Sequence, residues 1–392
     1  MGRLKGDLPG SFYAVAFAGF LWEMGVFMTQ PILTLHYLNL GASILFIGMI
    51  LGLQAFLLIF LRLPLTILAT RVGERRMLAV SFGAQGLQLA LIGFAPSPAW
   101  LYFIPVVQLV ATGTFFQLIT AMNSGQAPPE RQGDALGRHM TIVSAGMFLG
   151  PALCGVLVAP LGYSRVFLVA SLFPLAGLAI LLRVTKGLGS GRSLRENEVP
   201  TLTSLRALLG QRNVVSLAVI RTLYSTSNNL FLTLFSIYAV QSLDFDPSLV
   251  AVLYSIQGVA NAFVKVPMGW ASDRWGRKAV LLTTFTGVVL CYMGFARLTA
   301  YPLVATVMLF FGACWGARAV TEWAFLAVIV PPESRTIAIG YMESFWDIGS
   351  SAGSLLAGVA VGLLPYQTIF LLLAVLNLPA IPSILLMREE RK

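Results

Sequence analysis

Histidine and cysteine are scarce in this chain: two histidines, His36 and His139, and three cysteines, Cys154, Cys291 and Cys314, in 392 residues. Two histidines leave too few ligands for a histidine metal centre. The cysteines sit in apolar runs with no CxxC and no paired spacing, so neither a zinc site nor a disulfide framework is indicated. Charge is scarce too. Asp, Glu, Lys and Arg make up 11% of the chain, where a soluble domain carries about 25%. There is no Walker A sequence and no HExxH, so nothing supports ATP-driven pumping or a zinc protease. The stretch GSSAG at 349–353 formally matches G-x-S-x-G, but it lies in an apolar helical run, not at the strand-to-helix elbow that motif requires. No cofactor, no metal and no enzymatic activity are expected.

What the chain does have is hydrophobic length. Fifty-seven per cent of its residues are hydrophobic. Runs long enough to cross a hydrocarbon core of about 30 Å recur throughout: 12–35, 44–63, 77–95, 100–123, 139–160, 164–183, 214–240, 248–268, 279–297, 302–326, 337–362 and 366–387. The first is too long for a signal peptide and carries Glu23 at its middle, so it reads as a retained span. The expected fold class is an all-α membrane protein with twelve transmembrane helices.

The formal net charge of +10 is a matter of topology. With a cytoplasmic N-terminus, 22 of the 26 Lys and Arg fall at cytoplasmic ends and loops. Only Arg165 and Arg297 fall on the other side, while Arg221 and Arg318 lie within spans. That asymmetry is the positive-inside rule, and it puts both termini in the cytoplasm. No nucleic-acid partner is implied. Short loops and few cysteines suit a prokaryotic inner membrane.

Shifting the chain on itself by 203 residues brings its halves into register. RLPLTILATRVGERR from 62 lies over KVPMGWASDRWGRKA from 265, and PPERQGDALG from 128 over PPESRTIAIG from 331. Gln54 then matches Gln257, Gly113 matches Gly316, and Gly146, Gly150 and Gly155 match Gly349, Gly353 and Gly358. The expected organisation is an N-terminal six-helix bundle over 1–183, a cytoplasmic linker over 184–212 and a C-terminal six-helix bundle over 213–392. Parallel repeats of this kind build transporters that alternate access by rocking one half against the other.

Within the second copy, GWASDRWGRK at 269–278 fills every place of G-x-x-x-D-R-x-G-R-R/K with Gly269, Asp273, Arg274, Gly276, Arg277 and Lys278. With the repeat, this resembles the major facilitator superfamily over essentially the whole chain. The resemblance implies two pseudo-symmetric bundles and a role for this loop as a latch of the outward-open state. The first copy departs from the pattern, with Thr66 for the glycine and Thr70 for the aspartate, and keeps Arg71, Gly73, Arg75 and Arg76. GMFLGPALCG in the fifth span, with Gly146, Gly150, Pro151 and Gly155, resembles the signature of the family's drug:proton antiporter branches, with Cys154 in place of one glycine. Read on its own, that stretch is tight helix packing.

Ionisable groups at membrane depth cost about 2.5–3.5 kcal/mol or more and are functional by default. Six stand out: Glu23, Arg221, Arg318, Glu322, Glu343 and Asp347. Arg318 and Glu322 are four apart and within pairing reach, which a structural salt bridge would also explain. Glu343 and Asp347 are like charges on one face, so one is expected to hold a proton unless Arg221 or Arg318 neutralises them. By the resemblance, the first, fourth, seventh and tenth spans line the cavity. The cavity set is then Glu23, Gln30, Gln108, Gln117, Arg221, Tyr224, Asn228, Asn229, Arg318 and Glu322, and the proton-coupling candidates are Glu23, Glu343 and Asp347. The arginine the family often carries four residues before Gly113 is Leu109 here.

The acids outnumber the bases, and Trp22, Phe27, Trp315, Trp323, Phe345 and Trp346 lie beside them. That combination suits amphipathic cations, although each aromatic read singly fits packing or lipid contact as well. The reading is a proton-coupled antiporter exporting amphipathic or drug-like molecules, acting as a monomer in the bilayer. The alternatives are transport of a small organic anion clamped by Arg221 and Arg318, or export of a lipid or lysolipid.

Overall fold

In hydrocarbon a backbone must satisfy its own polar groups, which leaves long apolar runs the choice of helix or closed barrel. This chain takes the helix. The computed structural model describes residues 8–127, 132–184, 211–330 and 335–388. The expected linker, 184–212, lies almost wholly outside the described residues.

The helices are α1 Gly10–Thr29, α2 Leu33–Asn39, α3 Ile44–Val72, α4 Glu74–Phe94, α5 Ile104–Thr112, α6 Phe115–Ser124, α7 Gln132–Ser144 and α8 Gly146–Val184. The second half follows with α9 Arg212–Gln241, α10 Pro247–Trp275, α11 Arg277–Arg297, α12 Tyr301–Ile329, α13 Arg335–Leu363, α14 Tyr366–Asn377 and α15 Ala380–Leu385. No strand occurs among the described residues.

Among the described residues, nine helical stretches are long and apolar enough to cross a membrane. One of these, Ala135–Val184, is 50 residues long and bends at Gly162, where φ is 71°, so it supplies two spans. Helices α9 and α13, of 30 and 29 residues, are also long enough to span but carry the polar run around Arg221 and the acids Glu343 and Asp347. Counting these, the described residues hold twelve spans. Large apolar side chains such as Phe94, Phe263 and Val266 are exposed, as a lipid-facing surface requires.

The 203-residue repeat is written into the helix boundaries. Helix α10 begins and ends 203 residues after α3, and α11 does so after α4. Pro64 within α3 has its counterpart in Pro267 within α10. The turns between these helix pairs are single glycines, Gly73 at φ 99° and Gly276 at φ 93°, a region that side chains enter only with strain. One departure sits in the fourth span. It breaks between Thr112 and Phe115, whereas its counterpart α12 runs unbroken through Gly316. At the break, the Ser81 hydroxyl donates to the carbonyl of Ala111 and competes with the helix for that acceptor.

The helices gather into two compact units. Unit 1 comprises residues 1–30 and 60–195, and unit 2 comprises 31–59 and 196–392. In unit 1, α1 packs along α8, and Trp22 stacks on Phe115 with ring centroids 3.7 Å apart. In unit 2, Phe231 meets Phe235, Tyr292, Phe295, Phe311 and Phe370 at 4.7–5.8 Å, an aromatic core contributed by α9, α11, α12 and α14.

Helices approach closely at several glycines. A Cβ on Gly349 would lie 2.6 Å from the carbonyl of Thr222, and one on Gly353 would collide with the carbonyl of Thr226. The same crossing is built in unit 1 with Gly146 and Gly150 against α1. Gly312 and Gly316 of α12 press on the carbonyls of Gln257 and Asn261 of α10. The first part of α3 lies against α13, where Gly48 meets Ser354 and Gly358, and Ser351 donates to the carbonyl of Gly52 at 3.0 Å.

Candidate functional site

Unit 2 gathers four of the six membrane-depth charges into one network. Arg221 of α9 reaches Glu343 Oε1 of α13 at 2.5 Å and Glu322 Oε2 of α12 at 3.1 Å, and its Nε donates to the carbonyl of Met342 at 2.9 Å. Arg318 reaches the same Glu322 Oε2 at 2.5 Å, across the four-residue spacing seen in the sequence. Two arginines and two carboxylates leave the network formally neutral. That balance is what makes burial of four charges tolerable.

The guanidinium faces are covered as well. Arg221 stacks over Trp323 at 4.7 Å and Trp346 at 5.5 Å, and Arg318 over Tyr224 at 4.1 Å and Trp346 at 5.4 Å. Glu343 is the accessible member, its side chain 23% exposed against 7% or less for the other three. Asp347, one turn further along α13, is buried.

The seam that carries this network is tied at successive turns. Beyond the bond from Arg221 to Met342, Ser225 Oγ donates to the carbonyl of Trp346 at 2.6 Å and Thr222 Oγ1 to that of Phe345 at 3.4 Å. Tyr224 and Asn228 are fully buried, and Asn229 is half-buried with its amide on the carbonyl of Ser225. Glu322 Oε1, Arg318 Nε, the Tyr224 hydroxyl and Asn228 Oδ1 are buried without a hydrogen-bond partner among the described residues.

In unit 1, Glu23 is half-buried on α1. The glycines of the fifth-span signature seat it. A Cβ on Gly146 would lie 2.7 Å from the amide nitrogen of Met24 and 2.9 Å from the Cβ of Glu23, and one on Gly150 would lie 2.7 Å from the nitrogen of Met28. Pro151 and Cys154 are buried beside them, and Gly155 is half-buried. The Glu23 turn of α1 can sit this close to α8 only because those positions lack side chains. Gln30, Gln108 and Gln117 are all half-buried.

The signature Gly269–Lys278 turns out to be two helix ends joined by Gly276. Asp273 is exposed and pairs with Arg277 at 3.2 Å, and Arg274 lies over Trp270 at 5.1 Å. Lys278 has a different task. Its Nζ donates to the carbonyls of Leu385 at 2.6 Å and Met387 at 3.3 Å, at the end of the twelfth span. In unit 1, Arg75 makes the equivalent bond to Leu182 at the end of the sixth span, at 3.1 Å. In each unit, then, the basic residue after the glycine turn caps the last helix, where unsatisfied carbonyls favour a cation.

Sequence reasoning missed three features. Asn213 clasps the backbone of Arg388, donating to its carbonyl and accepting from its amide at 2.8 and 2.9 Å. Gly312 and Gly316 carry a small-residue spacing that marks the α10–α12 crossing. A buried hydrogen-bonded chain ends on His139.

Twelve spans related by a 203-residue repeat, with charged side chains held in their interior, are the build of a membrane transporter. A model of the Major Facilitator Superfamily matches residues 15–225 and 217–392, and the chain belongs to that family. Among curated relatives it is 25% identical over 306 residues to a multi-drug resistance efflux pump PmrA homolog of Lactococcus lactis subsp. lactis (strain IL1403), covering 76% of this chain and 74% of that one. It is 28% identical over 322 residues to the multidrug resistance protein MdtG of Escherichia coli O9:H4 (strain HS), covering 78% and 76%. Among solved structures it is similar to a bacterial homolog of the human lysosomal transporter Spinster in an inward-facing, unoccupied conformation, with a TM-score of 0.79, 12% identity and 97% of each chain covered. The nucleoside transporter NupG aligns with a TM-score of 0.78 at 13% identity, covering 96% of this chain and 98% of that one. These two show the fold alone.

Proposed function

We propose that this transporter is a proton-coupled antiporter that exports amphipathic, drug-like molecules by alternating access. The observation that carries the reading is Glu23: a half-buried carboxylate at the middle of the first span, seated on the glycine face of the antiporter-like signature. The multidrug names of the relatives PmrA and MdtG support an export direction. In this mechanism substrate and proton compete at Glu23. Glu343, the accessible acid of the unit 2 network, and the buried Asp347 are the second proton-handling positions. The loop around Asp273 acts as a latch, both termini face the cytoplasm of a prokaryotic inner membrane, and the monomer is the working unit.

The organic-anion alternative needs Arg221 and Arg318 to be available. Both guanidiniums are engaged by Glu322, Glu343 and aromatic faces, so an anion would have to displace Glu343. It is the weaker reading.

The test is movement of a fluorescent lipophilic cation in proteoliposomes under an imposed pH gradient, wild type against Glu23→Gln. Gradient-driven movement that the variant loses supports the proposal. A folded wild type that ignores both dye and gradient removes it, and organic anions with Arg221→Gln are then the next assay.

A further inference from the structure

His139 is used by nothing in the reading above. It lies on α7 with 2% of its surface exposed, in a chain that has only one other histidine. Three hydrogen bonds run from it to the start of α1. Asn123 of α6 donates its amide to His139 Nδ1 at 2.8 Å, Gln126 Nε2 donates to Asn123 Oδ1 at 3.2 Å, and the Ser11 hydroxyl donates to Gln126 Oε1 at 2.6 Å. An amide nitrogen can only donate, so Nδ1 is an acceptor and the ring proton sits on Nε2.

This chain has a property that a buried histidine usually lacks. A proton added to Nδ1 puts an N–H against the Asn123 amide, donor facing donor. If Asn123 and Gln126 each rotate their amide by half a turn, every link is remade in the opposite sense. His139 Nδ1 then donates to Asn123 Oδ1, Asn123 Nδ2 to Gln126 Oε1, and Gln126 Nε2 to the Ser11 oxygen. The hydroxyl ends the chain because it alone both donates and accepts. The bond lost is the weak 3.5 Å contact of Gln126 Nε2 with the carbonyl of Met122. Both protonation states thus keep the three links of the chain, and Ser11 and Gln126, at the far end, are half-buried rather than sealed.

We propose that His139 is a proton-binding site at the end of unit 1 that carries the N-terminus, served by a hydrogen-bonded chain whose polarity reverses when the proton binds. The proton comes from water, is held on the imidazole, and its arrival is felt at the first turn of α1 as a change of Ser11 from donor to acceptor. No proton travels through the amides; they only rotate. Around the ring, α6 carries no charged residue. On α7 lie Asp134, five residues earlier, and Arg138, whose guanidinium bonds the Tyr13 hydroxyl of α1 at 3.1 Å. Helix α1 adds Glu23. Gly146 packs at the level of Glu23, and His139 precedes it by seven residues, so the two sites stand about 10 Å apart along the bundle. Of α8, only Arg165 and Arg183 are charged, and they lie further along the chain.

The test is 15N NMR of the histidine rings in the full-length protein in lipid. With two histidines, the loss of one signal set in His139→Gln gives the assignment. The expected result is that wild-type His139 passes from an Nε2–H neutral ring to a doubly protonated one only between about pH 6 and about pH 3, because protonation places a charge on a buried ring. Gln126→Glu, an acceptor-only side chain, fixes the reversed polarity and is expected to raise the protonated-to-neutral ratio at a given pH at least tenfold. Most of that gain is expected to be lost in Asn123→Leu, where the chain is cut and only the through-space attraction of the new carboxylate remains. A wild-type ring that stays neutral down to about pH 3 overturns the proposal, and so does a Gln126→Glu effect that survives undiminished in Asn123→Leu. The wild-type titration needs no variant to fold, and it reads the ring itself, so its outcome is separate from that of the Glu23 transport assay.

Discussion

Arg221→Gln is the perturbation whose cost follows most directly from the geometry. The guanidinium makes bonds of 2.5 Å to Glu343, 3.1 Å to Glu322 and 2.9 Å to the Met342 carbonyl, and it is stacked on Trp323. The two acids are not affected alike. Glu322 keeps Arg318 at 2.5 Å, whereas Glu343 loses the cation that holds it. Removing one member of a buried ion pair costs about 3–5 kcal/mol. Glu343 is 23% exposed and can be hydrated, which places the loss near the lower end, about 3 kcal/mol. At about 2–4 °C per kcal/mol for a unit of this size, the melting point should fall by about 6–12 °C.

The decisive comparison is the cycle with Glu343→Gln. That single change leaves Arg221 on Glu322 and forfeits one charge-assisted bond, about 1.5–3 kcal/mol. In the double variant nothing charged is left stranded on α13 by the loss of Arg221, so the double should sit within about 1 kcal/mol of Arg221→Gln alone, a coupling within the range of about 0.5–3 kcal/mol for contacting residues. Thermal unfolding in detergent, followed by tryptophan fluorescence, reads all four proteins. Strictly additive losses would refute the claim that Arg221 and Glu343 act as one unit.

Two further outcomes follow from the helix crossings and caps. Gly312→Ala drives a methyl into the Gln257 carbonyl and is expected to cost about 1–3 kcal/mol of stability, whereas Gly340→Ala, with nothing within 4 Å, is expected to be neutral or stabilising by about 0.5–1 kcal/mol; equal melting points for the two would contradict the tight α10–α12 crossing. Lys278→Met removes the cation from the carbonyls of Leu385 and Met387 and should speed amide hydrogen exchange at the end of the twelfth span, with little change in the α9 core. Unchanged exchange there would mean the cap contributes nothing.

Some of this protein is legible along one dimension. Hydropathy marks each run that must become a span, because the requirement that a membrane backbone satisfy itself is local to the run. The 203-residue shift predicts paired helices, and it reaches down to the shared helix ends and to the glycine turns at Gly73 and Gly276. The four-residue spacing of Arg318 and Glu322 already implies their pairing, since both stand on one helix.

Other features depend on how each helix is rotated about its axis, which no short stretch of sequence specifies. Helix rotation decides that Arg221 meets Glu343, 122 residues away, and that this acid is claimed by a cation on α9 as well as standing one turn from Asp347. Packing decides that Lys278 caps the twelfth span, more than a hundred residues distant. It also decides that Ser11, Gln126, Asn123 and His139, far apart in the sequence, line up as one chain. Spans are fixed by the solvent each residue must enter; partners are fixed by which faces the glycines at Gly146, Gly312 and Gly349 allow to close.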